Sequence, residues 1–300
     1  MSVPLAFLGT ILIWSTTPLA IKWSSEGAGF IFAVTARMMI GTIGCLLLLA
    51  LVRGKLVWHK RAMQIYMAEG VAIFGAMGCV YWGAQFIPSG LVSVIFGLTP
   101  LLTGLMAAVW LGEQSLTPIK LLGMACAFIG LSMIFGDGFS AGGDALLGMT
   151  SILLAVILHS GSTVWIKKIG NDMPVLSMTS GGLLVALPLY LLTWAIVDGR
   201  MPATIPDKTA WSIIYLGLFG SVMGFILFFY VLKHVQASKV GLIPLVTPVS
   251  ALIVGAVLNN EHIPSVVWTG TGLILSGMAV YQWGHLLLRR RKPVVVVQEE

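Results

Sequence analysis

Charged side chains are scarce in this 300-residue chain. Asp, Glu, Lys and Arg make up only 9% of the sequence, whereas 58% of it is hydrophobic. Soluble domains carry roughly 25% charged residues, and a water-facing surface cannot be covered with so few. We therefore expect most of the surface to face lipid. The 35 glycines fit this interpretation, because small residues let helix backbones approach closely inside a bilayer.

Cysteines are also few, and their placement argues against two kinds of site. Cys45, Cys79 and Cys126 all lie inside apolar stretches. Three scattered cysteines form neither a disulfide framework nor a CxxC metal pattern, so we interpret them as small packing residues. The histidines show no metal-ligand spacing. The sequence therefore predicts no metal site and no cofactor.

Sequence signatures of common pumps and enzymes are missing as well. The chain contains no G-x-x-x-x-G-K-[ST] phosphate loop, so we do not expect ATP-driven pumping. It contains neither H-E-x-x-H nor G-x-S-x-G, and no nucleophile–base cluster is visible. An arginine-rich voltage sensor and a TVGYG-like filter are also absent. We therefore do not expect an enzyme.

Long apolar runs dominate the sequence. A bilayer core needs about 20 apolar residues per helix, and the runs lack the alternation of membrane barrels. The sequence therefore predicts an all-α integral membrane protein with ten transmembrane helices. The first run is interpreted as a retained span, because it has no basic n-region and no A-x-A cleavage signal. The predicted spans are roughly 4–23, 29–52, 65–84, 90–111, 117–136, 145–166, 174–197, 210–232, 238–258 and 264–287.

The net charge of +6 comes from short runs between the apolar stretches rather than from one basic face. This placement argues against nucleic acid as a partner and is typical of cytoplasmic loops. With the N-terminus inside, the outer loops hold only Arg200 and Lys208. Both termini are therefore predicted to be cytoplasmic. The inner segments hold Arg53, Lys55, Lys60, Arg61, Lys120, Lys167, Lys168, Lys233, Lys239, Arg289, Arg290, Arg291 and Lys292.

The two halves of the chain repeat each other. Thr99-Pro100 matches Thr247-Pro248 at a separation of 148 residues. Each half holds five spans, and because five is odd, the second half enters the membrane the opposite way up. Such inverted repeats suit alternating access around a midplane site. We predict one repeat over 1–140, a second over 141–292 and a short cytoplasmic tail over 293–300. Further matches are Glu113 with Glu261, Gly123 with Gly270, Gly130 with Gly277, and Lys22 with Lys167.

In these features the chain resembles the drug/metabolite transporter superfamily, and in particular its EamA-type members. The resemblance is carried by the ten spans, the paired halves and two Thr-Pro…Glu…Gly…Gly passages at 99–130 and 247–277. It includes an ALKYxxAS-like turn at 231–238, although the matching stretch at 83–90 departs from that pattern. The resemblance implies a carrier of small metabolites with a central cavity, in a bacterial inner membrane.

The first span supplies one group of candidate substrate-binding residues, Trp14, Ser15 and Thr16. Pro18 cannot donate a hydrogen bond to the carbonyl of Trp14, which predicts a broken helix and a free oxygen near mid-membrane. Hydroxyls and a Trp beside such a break suit a binding site. The alternative is a simple kink, satisfied by Ser or Thr hydroxyls that bond back to the preceding turn.

The matching position of the second half holds His159 and Ser160. A histidine deep in a span is costly unless it faces a cavity or a partner, and it titrates close to neutral pH. We therefore consider substrate binding and proton coupling at His159. The alternative is a neutral histidine that is hydrogen-bonded to a neighbouring helix.

Arg37 lies eight residues after Gly29, which is about 12 Å into the second span. Together with Lys22, it is a candidate for attracting an anionic group such as a carboxylate. The alternatives are snorkelling to the outer interface or pairing with Glu26. Glu69 lies nearer the inner side, displaced from Arg37 by roughly 10 Å, and a structural role is favoured for it.

Prolines interrupt spans four and nine at equivalent depths of the two halves. Pro100, Pro244 and Pro248 each free a backbone carbonyl, and paired breaks of this kind point to a transporter site. The alternative is that these prolines only bend helices for packing. The threonines beside the breaks and aromatic residues of spans three and eight are further candidates to line the cavity: Thr99, Thr247, Tyr81, Trp82 and Tyr230.

We expect a secondary active transporter, exporting small metabolites such as amino acids by alternating access between the repeats. The driving force would be the substrate gradient or protons. A passive facilitator or exchanger of metabolites or nucleotide-sugar-like solutes is the main alternative. A non-transporting sensor is less favoured, because paired helix breaks at mid-membrane would have no purpose in it. A membrane-embedded enzyme is less favoured, because no nucleophile–base or metal cluster is visible in the sequence.

Overall fold

The computed structural model describes residues 2–113, 116–141, 143–170, 173–235 and 240–289. Every regular element within these ranges is a helix. The positions of Lys239, Arg290, Arg291 and Lys292, and the predicted tail over 293–300, lie outside the described residues.

The described helices form ten segments that correspond in order to the ten spans expected from hydropathy. Eight helical segments of the described chain are long and apolar enough to span a bilayer. A shorter apolar helix of 17 residues and a final helix of 25 residues complete the set. The helices are α1 Val3–Ser25, α2 Phe30–Leu51, α3 Lys60–Gly83, α4 Ser89–Phe96, α5 Thr99–Leu111, α6 Pro118–Ala141, α7 Gly143–Ile169, α8 Val175–Val197, α9 Asp207–Tyr215, a π-helix Leu216–Met223, α10 Gly224–His234, α11 Ile243–Asn259 and α12 Ser265–Arg289.

Proline lies in the first turn of two helices, α5 and α11, and inside three helices that remain continuous, α1, α8 and α11. Span four divides into α4 and α5, with Pro100 in the first turn of α5, and Pro244 lies in the first turn of α11. In contrast to the expected break, α1 runs through Pro18 without interruption. Thr16 and Thr17 donate hydroxyl hydrogen bonds to the carbonyls of the preceding turn, and such back-bonding lets a membrane helix tolerate proline. Likewise, α11 runs through Pro248.

The packing of the helices follows the internal repeat. The contact of α1 with α11 corresponds to the contact of α7 with α5. The contact of α3 with α7 corresponds to the contact of α10 with α1. The contact of α3 with α8 corresponds to the contact of the π-helix with α2. Helices α2 and α8 occupy equivalent positions in the two repeats, as do α6 and α12, and each of these pairs is in contact. The fold is therefore two inverted five-helix repeats related by an approximate two-fold axis.

A close helix crossing lies between α6 and α12, where the four glycines of the repeated passages contact each other. A Cβ atom on Gly123 would lie 2.6 Å from the carbonyl oxygen of Gly277, and one on Gly130 would lie 2.5 Å from that of Gly270. Only glycine allows backbones this close, and in lipid such small-residue contacts stabilise helix pairs by van der Waals packing.

Candidate functional site

A cavity of about 860 Å³ lies between the two repeats. Both halves contribute to its wall, and the helix start at Pro244 and the break before Pro100 both face it. Eight of the residues predicted for the site line it: Trp14, Pro18, Arg37, Thr99, Pro100, His159, Pro244 and Thr247.

The remaining predicted residues lie outside the cavity lining. Thr16 bonds the hydroxyl of Tyr215 at 2.6 Å. Tyr81 is fully buried and Trp82 packs on Phe86. The others are Ser15, which is buried, Ser160, whose hydroxyl donates to the carbonyl of Thr99 at 3.5 Å, Tyr230, which stacks on His234, and Pro248, which is buried in α11.

Arg37 is buried at the cavity wall, with only 6% of its surface exposed. Its Nε donates to the hydroxyl of Ser221 at 3.2 Å, and its guanidinium carbon lies 5.9 Å from the ring centre of Tyr81. Its Nη1 has no hydrogen-bond partner among the described residues. A permanently charged group is therefore held in place at the cavity with part of its donor capacity unused.

The π-helix positions Ser221 and was not predicted from the sequence. The Ser221 hydroxyl donates at 3.1 Å to the carbonyl of Leu216, five residues earlier in the π-helix. Such segments occur frequently at functional sites. The run of small residues Gly217, Gly220, Ser221 and Gly224 was the available signal, because it marks a close approach to a neighbouring helix.

Glu69 also lines the cavity, although sequence reasoning favoured a structural role. It packs against Gly182 of α8, where an added Cβ would come within 2.6 Å of its Cγ. Twelve residues of α3 separate Glu69 from Tyr81, which is about 18 Å along the helix. Glu69 and Arg37 therefore lie toward opposite ends of the cavity.

A buried polar network closes the cavity at the end of α1. Lys22 and Glu261 form an ion pair at 3.4 Å, and the Glu261 side chain is only 6% exposed. The same carboxylate accepts hydrogen bonds from the backbone N–H of Ser89 at 2.8 Å and from its hydroxyl at 2.9 Å, at the N-terminus of α4. Lys22 also donates to the carbonyl of Ile87 at 3.1 Å. This end of the cavity joins helices from both repeats.

The repeat-related pair at the opposite end is more open. Lys167 and Glu113 lie 2.6 Å apart, with 61% and 36% of their side chains exposed. A second cavity of about 400 Å³ lies beside this pair and shares Thr99, Pro100, Thr163 and Lys167 with the main cavity. The central space is therefore continuous toward Lys167 and closed at Glu261.

Known proteins with similar sequences are named as transporters. The sequence model of the EamA-like transporter family matches residues 1–136 and 146–282. The chain is 26% identical over 280 residues to an uncharacterized transporter, YoaV, of Bacillus subtilis, covering 93% of this chain and 96% of that one. It is 29% identical over 300 residues, covering 95% of each chain, to a protein of Streptantibioticus cattleyicolor named "Probable terminal-alkyne amino-acid exporter".

One solved protein structure has the same overall fold, with a TM-score of 0.67 at 19% identity over 97% of this chain and 99% of the other. The family match covers both repeats and nearly the whole length of the chain. This multi-pass membrane protein belongs to the EamA-like transporter family.

Proposed function

We propose that the protein is a secondary carrier that exports small metabolites such as amino acids by alternating access. The observation that carries this proposal is the central cavity, which is closed at Glu261 and continuous toward Lys167. Inverted repeats can exchange conformations around a fixed site, so the opposite conformation would open the other end. The similar protein named "Probable terminal-alkyne amino-acid exporter" supports this substrate class.

The residues that line the cavity would contact the solute. Trp14 and Phe228, whose ring centres are 4.9 Å apart, offer an aromatic surface, while Thr99 and Thr247 border the two helix starts. Arg37 supplies positive charge. Tyr81 and Ser160 would support the site from behind, because Tyr81 lies under Arg37 and Ser160 bonds the backbone of Thr99.

The proposed orientation places both termini in the cytoplasm of a bacterium, with the protein in the inner membrane. The lysine and arginine bias of the loops supports this orientation. Under it, the Lys167 end of the cavity faces the cytoplasm, as an exporter loading its substrate requires. An impermeant reagent applied from outside should label cysteines introduced at Arg200 but not at Lys55, and the reverse labelling would overturn the orientation.

Counterflow in proteoliposomes tests the proposed function directly. Vesicles loaded with an unlabelled amino acid should accumulate the same radiolabelled amino acid well above empty vesicles, because alternating access returns a loaded carrier faster than an empty one. A passive channel gives equal uptake in both. No uptake of any of the twenty amino acids above protein-free vesicles would overturn transport of this class.

We further propose that His159 carries the coupling proton, because it lines the cavity deep in a span. His159→Gln should abolish stimulation of transport by an imposed pH gradient, measured as the ratio of the variant's own uptake with and without the gradient. Glu69, the other titratable group deep in the cavity wall, provides the comparison variant Glu69→Gln. Loss of the pH-gradient response in Glu69→Gln alone would assign the proton to Glu69 instead.

A further inference from the structure

Arg37 is buried beside the central cavity without an acidic partner. The ion pairs of the described residues are Lys22 with Glu261, Lys167 with Glu113, and Lys208 with Glu26, and none involves Arg37. Arginine does not lose its proton in proteins, so burial cannot neutralise it. A buried charge is costly unless an opposite charge accompanies it.

The protein does not supply that opposite charge from the cavity wall. Among the described lining residues, Glu69 is the acidic side chain that faces the main cavity. It is separated from Tyr81 by about 18 Å of α3, whereas the guanidinium of Arg37 is 5.9 Å from the Tyr81 ring. Glu69 is therefore too far from Arg37 to pair with it, and the described residues of the cavity wall supply no other balancing anion.

The surroundings of Arg37 place its Nη2 beside a crevice of the cavity wall. Ser221 occupies Nε, Tyr81 lies beside the planar group, and Nη1 is enclosed without a hydrogen-bond partner among the described residues. On the Nη2 side, a Cβ atom placed on Gly220 would lie 3.5 Å from Nη2 of Arg37 and 3.7 Å from Oγ1 of Thr17. Gly220 and Thr17 both line the cavity. The crevice between Arg37, Gly220 and Thr17 is thus open to the cavity because residue 220 has no side chain.

We propose that this crevice binds the carboxylate of the transported solute, with Arg37 as its anchor. The inference rests on the proposed transport function and adds the chemical group by which the substrate is held. One oxygen of a carboxylate would accept a charge-assisted hydrogen bond from Nη2 of Arg37, and such bonds are about twice as strong as those between neutral groups.

The charge of the site favours a singly charged anion. Lys167 is the other cation that lines the cavity in the described part of the chain, and Glu113 already pairs with it. A carboxylate therefore balances Arg37, whereas a phosphate monoester would bring a second negative charge without a partner. Thr17 already donates its hydroxyl to the carbonyl of Ile13, so its oxygen presents acceptor capacity next to the guanidinium. That arrangement suits a donor adjacent to the carboxylate, such as an α-amino group.

Thermal-shift titration of the purified full-length protein tests the proposal. The probes are the twenty amino acids, the carboxamide of each, and glucose 6-phosphate. At least one amino acid should raise the melting temperature in a saturable way, because a ligand that binds the folded state stabilises it. Its carboxamide should bind at least about tenfold more weakly, since it forms no charge-assisted bond with Arg37.

Variants separate binding from folding. Arg37→Gln should remove the difference between the acid and its carboxamide. Because Arg37 is buried and its replacement can impair folding, Gly220→Ala provides an independent test. Its new methyl group would make only ordinary contacts, at 3.5 and 3.7 Å, yet it would fill the crevice and weaken acid binding about tenfold or more. Gly78→Ala is the matched control, since an added Cβ there meets nothing within 4 Å.

Three results would overturn the carboxylate site. They are equal binding of every amino acid and its carboxamide by the wild type, unchanged amino-acid binding in Gly220→Ala, or binding of glucose 6-phosphate that is tighter than binding of any amino acid. The outcome is independent of the transport assay. Counterflow without acid selectivity would remove the Arg37 proposal and leave transport standing. Selective binding of the acid without counterflow would support the Arg37 proposal and remove the proposed transport function.

Discussion

Replacing Glu261 with glutamine is expected to open the closed end of the cavity. The wild-type carboxylate is 6% exposed and joins Lys22 to the N-terminus of α4 at Ser89. Glutamine keeps the size of the side chain but leaves Lys22 without its counter-ion and weakens the bonds to Ser89. Breaking a largely buried pair costs about 2 kcal/mol after allowance for the partial exposure of Lys22, which shifts the equilibrium toward the outward-open state by roughly 30-fold.

Cysteine labelling measures this shift. Ile21 lines the cavity one residue before Lys22 and is 3% exposed, so Ile21→Cys reports access from the outer side in a protein whose native cysteines are replaced. An impermeant maleimide added outside should react at least about tenfold faster when Glu261→Gln is also present.

Glu113→Gln is the matched control, because it makes the same chemical change in the repeat-related pair. That pair is exposed, and exposed pairs contribute little. The labelling rate should therefore stay within about twofold of the parent protein. Equal rates in the two glutamine variants, or no increase with Glu261→Gln, would show that Glu261 does not hold the outer end closed.

The second large effect is expected at the crossing of α6 and α12. Gly277→Val would place side-chain atoms against the backbone of Gly123 and against the backbone nitrogen of Ala127, which lies 2.7 Å from the position of an added Cβ. Backbone atoms cannot rotate out of the way, so the two helices must separate. We expect a loss of about 3 kcal/mol in unfolding free energy, the upper part of the range for overpacking. The measurement is the apparent melting temperature and the yield of monodisperse protein in detergent.

Gly272→Val on the same helix provides the control, because an added Cβ there meets nothing within 4 Å. Both substitutions carry the same helix-propensity change, so their difference isolates the crossing. A melting temperature of Gly277→Val within about 1 °C of Gly272→Val would mean that the close approach of α6 and α12 contributes little to stability.

The ten spans and the inverted repeat could be predicted because each follows from the length and number of the apolar runs along the sequence. Twenty-residue apolar lengths set the spans, and the odd number of spans per half sets the inversion. The recurrence of Gly123 and Gly130 as Gly270 and Gly277 also had a direct structural meaning, since these glycines contact each other across the approximate two-fold axis. Composition and spacing were sufficient for this level of the fold.

The finer features depend on contacts that local sequence does not encode. Lys22 pairs with Glu261, which lies 239 residues away in sequence, rather than with the nearby Glu26. The packing of α1 against α11 determines which of these two carboxylates lies next to Lys22. Similarly, Pro18 removes one backbone bond but does not break α1, because neighbouring threonine hydroxyls bond back to the preceding turn.

The π-helix has a consequence for chain length. The wider turns of the π-helix accommodate an additional residue between α9 and α10. Removing one residue from 216–223 would therefore restore ordinary α-helical winding without changing the orientation of α9 or α10. The same deletion within α2 or α3 would rotate everything that follows by about 100°. Homologous carriers that are one residue shorter in this segment should therefore keep the whole architecture.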